Sequence, residues 1–345
     1  MKLYRLETVS YSDSQLLYHA LPRIGREGLI LLSPATPYVC IGYFQDAEQE
    51  VDLDYCRAHN IPVFRREVGG GAVYLDGEQL FYQLVIHRDN PLVPRDKSAF
   101  YQKFLQAPIA AYRVIGIPAE YKPVNDIIAN GRKISGNGVA EIGDYIVFVG
   151  NLIVDFDYET MVRVLRVPDE KFRDKVYKTL QDNLSTIRRE LGHAPPRNEL
   201  WDLLAEKFME VLGPLEVETT VDAQWRAEAD RLAQRMLTDE WLYRKGRPQL
   251  GREVTIRSGV QVWHKMYKAP GGLIRATVEV QEGVIGSISL SGDFFFYPAE
   301  RLADLEAALV GVRVEEVEQA IARFYAEHGI ESPGVTAADF ARVMG

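Results

Sequence analysis

The chain has 345 residues, 47% hydrophobic and 26% charged, with a formal net charge of −9 at neutral pH. That length suits two domains with sizeable cores, and the acidic balance, with no Lys/Arg cluster against it, excludes a general nucleic-acid binder. Cys40 and Cys56 alone exclude a disulfide scaffold, and the scattered histidines form no ligand spacing, so no protein-held metal is expected.

The N-terminal MKLYRLETVS lacks the apolar run and cleavage site of a signal peptide. No apolar stretch is long enough to span a bilayer, so a cytoplasmic protein without a membrane partner is expected. Periodicity predicts a helix over residues 14–26, strands over 29–33 and 38–42, and a helix capped by Asp52 that runs to about His59. A strand over residues 61–65 then meets Arg65, Arg66 and the run Gly69, Gly70, Gly71. The alternating Ala72, Val73, Tyr74, Leu75 follows and leads into an aromatic strand ending near Ile86. Without Cβ atoms, the glycine backbone can approach a ligand closely and adopt φ > 0. The neighbouring arginines offer forked donors to phosphate or carboxylate.

An amphipathic helix is predicted over residues 98–115. Beyond it, Asn125 and Asp126 precede Ile127 and Ile128, an Asn130-Gly131 turn, then Lys133 and Ile134, which spells a β-hairpin. Gly136 and Gly138 again let backbone come close to something. Residues 145–149 and 152–156 read as a strand pair, or one bent strand, around Gly150, with Asn151, Asp155 and Asp157 after it. Helical patterns follow over residues 158–191, 197–212 and 223–245, punctuated by Pro195, Pro196 and Pro214. A division at residues 246–251 precedes strands over 261–267, 273–281 and 284–291 and helices over 299–309 and 314–328. The reading is α+β, with a catalytic domain over residues 1–246 and a smaller α+β domain over 251–345. There is no Walker-type P-loop and no Rossmann fingerprint. Each feature alone also has a plain structural explanation: a tight glycine turn, a solvated hairpin lysine, an aspartate bonding its own backbone, a loop end.

Taken in order and separation, RREVGGGAVYLD, PVNDIIANGRKISGNG and VGNLIVDFD resemble the lipoate-protein ligase family and its biotin-ligase and octanoyltransferase relatives. From about Gly259, through GGLI and SGDFF, the chain resembles the accessory C-terminal domain of lipoate ligases. The resemblance implies a mixed-sheet core like that of class II synthetases and a two-step reaction. Lipoate, or octanoate, attacks the α-phosphate of ATP with Mg²⁺, giving acyl-adenylate and pyrophosphate. A lysine of a lipoyl-acceptor protein, either an H-protein-like carrier or the E2 lipoyl domain of a dehydrogenase complex, then takes the acyl group and releases AMP.

On the family pattern Arg66, Gly69, Gly70, Gly71, Ala72 and Val73 lie along the acyl-adenylate. Tyr74, with Val73, Val39 and Ile41, lines an apolar acyl pocket, and Asn125 and Asp126 lie on the nucleotide side. Lys133 is the catalytic residue, touching both the acyl carbonyl oxygen and the phosphate. Gly136 and Gly150 belong to the backbone around the ligand. The chain departs from the pattern at Val68, where Ser or Thr is usual, at Leu75-Asp76 in place of His-Asp, and at Val149-Gly150-Asn151 in place of His-Gly-Thr. Asn151 is expected to take over the threonine's hydrogen bond.

Three other readings stay open. Octanoyl transfer from a carrier thioester needs a cysteine nucleophile around residues 139–151, where none occurs; Cys40 and Cys56 read as buried side chains. Biotin ligation fits the glycine loop less well. A lipoyl-binding protein without turnover would keep the pocket but not the reaction. Because the accessory domain is fused, the single polypeptide is expected to activate its acid unaided.

Overall fold

The computed structural model describes residues 1–167, 173–245, 254–257 and 260–344; the division expected at residues 246–251 and the start of the C-terminal resemblance at Gly259 lie outside them. The strands in chain order are β1 (Lys2–Val9), β2 (Gly28–Pro34), β3 (Tyr38–Ile41), β4 (Val63–Arg65), β5 (Val73–Leu75), β6 (Gln79–His87), β7 (Ala119–Lys122), β8 (Asp126–Ala129), β9 (Arg132–Ser135), β10 (Asn137–Ile142), β11 (Tyr145–Ile153), β12 (Glu216–Glu218), β13 (Val254–Arg257), β14 (Val260–Ala269), β15 (Gly272–Gln281) and β16 (Val284–Gly292). Contacts divide the chain into two units. The first is Met1–Cys40, Val51–Arg66 and Val73–Leu242; the second combines Ile41–Glu50 and Glu67–Ala72 with the chain from Tyr243 onward.

The first unit is built on a six-stranded sheet in the order β10-β11-β6-β2-β1-β12. β1 runs parallel to β2 and β12, while β2, β6, β11 and β10 pair antiparallel, so the sheet is mixed. β2 and β6 are near-continuous apolar runs because both faces are covered. Neighbouring side chains on β6 point to opposite faces. Gln83 meets helix Asp13–Arg23, donating to Ser14 O at 2.7 Å, whereas Tyr82 meets Phe148 and Phe208 on the other side. Helix Ala223–Met236 is pinned beside the first helix by Trp225, which is fully buried. Its indole Nε1 donates to Leu17 O at 2.9 Å, and its ring lies 4.6 Å from that of Tyr4. Two smaller sheets, β4-β3-β5 and β7-β8-β9, complete the unit.

The α+β architecture is as expected, and Asp52 caps helix Leu53–Ala58 by accepting from Tyr55 N at 3.0 Å. Several elements differ. The helix predicted over residues 98–115 is two, Lys97–Phe104 and Gln106–Val114; Pro108 sits in the first turn of the second, where its missing N–H costs no bond. Of the two readings for the chain around Gly150, the single strand holds, over Tyr145–Ile153. The stretch 158–191 holds helices Tyr158–Val164, Arg173–Asn183 and Ile187–Leu191, with residues 168–172 outside the described set. β1, β7 and β12 had no periodic signal strong enough to announce them.

In the second unit β13, β14, β15 and β16 form an antiparallel sheet. Ile274, Ala276, Val278 and Val280 alternate along β15 into a core with Leu305, Ile321 and Phe340 from helices Arg301–Leu309, Val317–His328 and Ala337–Ala341. Phe44 joins that core, stacked on Phe294 at 5.1 Å between ring centroids. Among the described residues no helix is long and apolar enough to cross a membrane. Replacing Trp225 with Ala removes a fully buried indole and its hydrogen bond, so the first unit is expected to lose about 3–5 kcal/mol, read as a lower denaturant midpoint.

Candidate active site

The β8–β9 hairpin turns at Asn130 and Gly131, whose φ angles of 48° and 78° are the left-handed pair that a two-residue turn of this type requires. Ile128 stands opposite Lys133, and the register shifts between Ile127 and Ile128. Asp126 lies two residues before Ile128 and therefore shares its face. The ammonium and carboxylate meet there, Lys133 Nζ to Asp126 Oδ1 at 2.6 Å, both only partly exposed. Gly136 lies beside the lysine chain: a Cβ built on it would stand 3.8 Å from Lys133 Cε.

Asn151 holds the start of β10 in place. Its Oδ1 accepts from Gly136 N at 2.9 Å and its Nδ2 donates to Gln79 Oε1 at 2.7 Å, while its own carbonyl accepts from Ser135 Oγ at 2.6 Å. The Asn125 side chain donates to Asn137 O, and Tyr82 donates to the Asn137 side chain. Gly150 is fixed by this packing, since a Cβ there would fall 2.2 Å from Asn137 Oδ1 and 2.5 Å from the Tyr82 ring. Lys133, Asp126, Asn125, Gly136, Gly150 and Asn151 are thus joined by direct contacts or through Asn137. Ser135, Asn137, Gln79 and Tyr82 were missed because only cross-strand pairing brings them together.

The two arginines differ sharply. Arg65 is fully buried, its guanidinium donating to Trp241 O and Leu242 O at 2.6–3.1 Å while the Trp241 indole donates back to Arg65 O. Arg66 is half-buried and donates to Cys40 O at 3.1 Å. Val73 pairs with Cys40 and Tyr74 with Val39 along the β3–β5 ladder; Tyr74 and Val39 are buried.

The glycine loop, Glu67–Ala72, folds with the second unit. Gly70 N donates to Phe294 O at 3.3 Å and Tyr43 N to Val68 O at 3.0 Å. A Cβ on Gly69 would stand 2.8 Å from Phe294 O, and one on Gly42 only 1.9 Å from Gly70 O, while Gly70 itself has φ +90°. The missing side chain of Gly69 therefore admits the 294–295 backbone, a use that ligand binding alone does not require.

The profile described as "Lipoyl protein ligase A/B catalytic domain" matches residues 12–209, and "Bacterial lipoate protein ligase C-terminus" matches residues 263–344. This chain belongs to the lipoyl protein ligase A/B family. A lipoate–protein ligase of Streptococcus pyogenes is 27% identical, covering 81% of this chain and 80% of that protein. The octanoyltransferase LipM of Kyrpidia tusciae is also 27% identical, covering 61% of this chain and 84% of that protein. Among solved structures, a lipoate-protein ligase A bound with ATP matches with a TM-score of 0.60 at 27% identity, over 70% of this chain and 98% of the other. A Thermoplasma acidophilum bipartite lipoate protein ligase, studied with its E2 lipoyl domain, matches with a TM-score of 0.63 at 27% identity, over 72% and 98%.

Cys40 and Cys56 are both buried; burial pushes the Cys40 thiol up from its ordinary range and the Cys56 thiol up to about 11. Neither is a ready thiolate nucleophile.

Asp76, at the family's His-Asp position, has its carboxyl pushed up to about 6 by burial, although Glu78 N donates to it at 3.0 Å. A carboxyl whose folded value lies above its ordinary 3.8 binds protons more tightly in the folded state, so stability falls as pH rises from about 4 through about 6. Asp76→Asn is therefore expected to melt above wild type at pH 8 and level with it at about pH 3.5, read by thermal unfolding at both pH values.

Proposed function

We propose that this protein is an ATP-dependent lipoate–protein ligase that activates lipoate, or octanoate, as acyl-adenylate and transfers the acyl group to a lysine of a lipoyl-acceptor protein. The observation that carries it is Lys133 ion-paired to Asp126 at the family's lysine position in a chain whose cysteines are both buried. In the first step a carboxylate oxygen of the acid bonds to the α-phosphorus and pyrophosphate leaves. Negative charge builds on the phosphoryl oxygens, and Lys133, held on the hairpin beside Asp126, is assigned to stabilise it. In the second step the neutral acceptor amine bonds to the acyl carbon and charge builds on the carbonyl oxygen; the acyl–oxygen bond to phosphate then breaks, AMP leaves, and the amine's proton passes to solvent. One ammonium serves both, at about 3 kcal/mol for a preorganised donor of this kind. As an ammonium, Lys133 donates hydrogen bonds but has no lone pair with which to capture the acyl group itself.

Arg66 is assigned to the phosphate, and Asn125 and Asp126 to the nucleotide side. Gly69, Gly70, Gly71, Ala72 and Val73 are assigned to the acyl-adenylate, and Tyr74 to the acyl pocket. Among the described residues no group of three metal-binding side chains occurs, so they offer no cage for Mg²⁺; an ion bound with ATP would neutralise phosphate charge, and Asp126 is the carboxylate assigned to share it. The acceptor is proposed to be an E2 lipoyl domain or an H-protein-like carrier, by analogy with the Thermoplasma ligase studied with its E2 lipoyl domain.

Octanoyl transfer is the second reading, favoured by the LipM relative. With lipoate, ATP and an apo acceptor, Lys133→Ala is expected to lower acyl-adenylate formation on the order of a hundredfold, whereas Cys40→Ser and Cys56→Ser keep it. Acyl transfer from a carrier thioester without ATP, lost in either serine variant, would favour the transferase. A chain ending at Lys245 is expected to lose acyl-adenylate formation, because residues 67–72 fold with the part removed; full-rate pyrophosphate release from it would show that the fused domain is dispensable.

A further inference from the structure

We propose that Glu190 is a positioning residue for Lys133, acting through the turn and the backbone of the hairpin that carries the ammonium; the proposal rests on the ligase reading above. β9 is an edge strand of its three-stranded sheet, so its outward backbone groups need partners from elsewhere. Residues 184–185 supply them. Leu184 forms a parallel bridge with Lys133, and Ser185 N donates to Lys133 O at 2.7 Å. Ser185 is fully buried, and its hydroxyl donates to Glu190 Oε1. The other oxygen, Glu190 Oε2, accepts from Asn130 Nδ2 at 2.6 Å, and Asn130 is the first residue of the hairpin turn. A single carboxylate therefore ties the turn, and through Ser185 the carbonyl of Lys133, to one short helix.

That helix is itself anchored. Thr186 Oγ1 accepts from Arg189 N at 3.0 Å, Arg188 N donates to Val154 O at 3.0 Å, and Arg188 Nε meets Asp155 Oδ2 at 2.7 Å. Asp155 thereby links the clasp to the chain leaving β11, the strand that bears Asn151. Lys133 is approached from two sides: Asn151 sets the backbone after it, and Glu190 sets the backbone before and at it. Removing the carboxylate frees the turn from the helix while leaving the strand pairing of β8 with β9 intact, so the expected effect is on where the ammonium sits and not on whether the unit folds.

The test compares wild type, Glu190→Ala and Glu190→Gln in lipoate- and ATP-dependent pyrophosphate release. Glu190→Ala is expected to lower kcat about tenfold with KM for lipoate changed less than about twofold, and Glu190→Gln, which keeps an oxygen acceptor, to recover most of the rate. Calorimetric binding of a non-hydrolysable acyl-adenylate analogue closes the argument. Glu190→Ala is expected to weaken it about tenfold when Lys133 is present and to leave it unchanged in the Lys133→Ala background. A wild-type rate in Glu190→Ala, or an equal loss of analogue affinity in both backgrounds, would overturn the positioning role. Wild type releasing no pyrophosphate with lipoate and ATP would instead overturn the ligase reading.

Discussion

Lys133 and Asp126 stand 2.6 Å apart with both side chains partly in solvent, so the pair adds no more than about 1 kcal/mol to stability. Its significance is placement. A two-residue left-handed turn fixes which strand positions oppose each other, the register shift re-aims the second strand, and Asn151 and Ser185 hold the backbone on either side. The surrounding unit supplies rigid mounting points for these contacts: β6 provides Gln79 and Tyr82, β10 provides Asn137, and the chain after β11 provides the carbonyl and carboxylate that receive Arg188.

What the sequence made legible was whatever is written locally. Asn130-Gly131 between apolar pairs dictated a hairpin, Asp52 ahead of a short apolar pattern dictated a capped helix, and three glycines announced close backbone approach. The contacts that hold the site together are not local. Asn151 with Gln79, Tyr82 with Asn137 and Asn130 with Glu190 join residues whose nearness follows from sheet order and helix docking, and no spacing rule encodes them. The glycines show the same limit differently: their need for close approach was readable, but the backbone that approaches them, at residues 294–295, was not. The break at Leu105 was hidden because the apolar pattern continues through it.

The departures from the family pattern acquire a common physical sense. Val68 is buried in the second unit, Leu75 is buried on β5, and Val149 is half-buried on β11 opposite Gln83. At such positions a hydroxyl or imidazole must find a partner or cost free energy, and an aliphatic side chain needs none. The polar work around Lys133 is carried instead by amides, those of Asn125, Asn137 and Asn151, which keep the same hydrogen-bonding pattern across the neutral pH range.

The second unit takes Phe44 and the glycine loop from the early part of the chain, and Phe44 enters a core with Phe294, Leu305 and Phe340 from its end. During synthesis the early pieces leave the ribosome long before the strands that receive them. The Phe44 ring has no native core to enter until nearly the whole polypeptide has been made, and closing that long loop adds sequence separation of the kind that slows folding. The glycine loop would then form late, as the last helices arrive, so a nascent or prematurely terminated chain carries the Lys133 hairpin without a formed glycine loop.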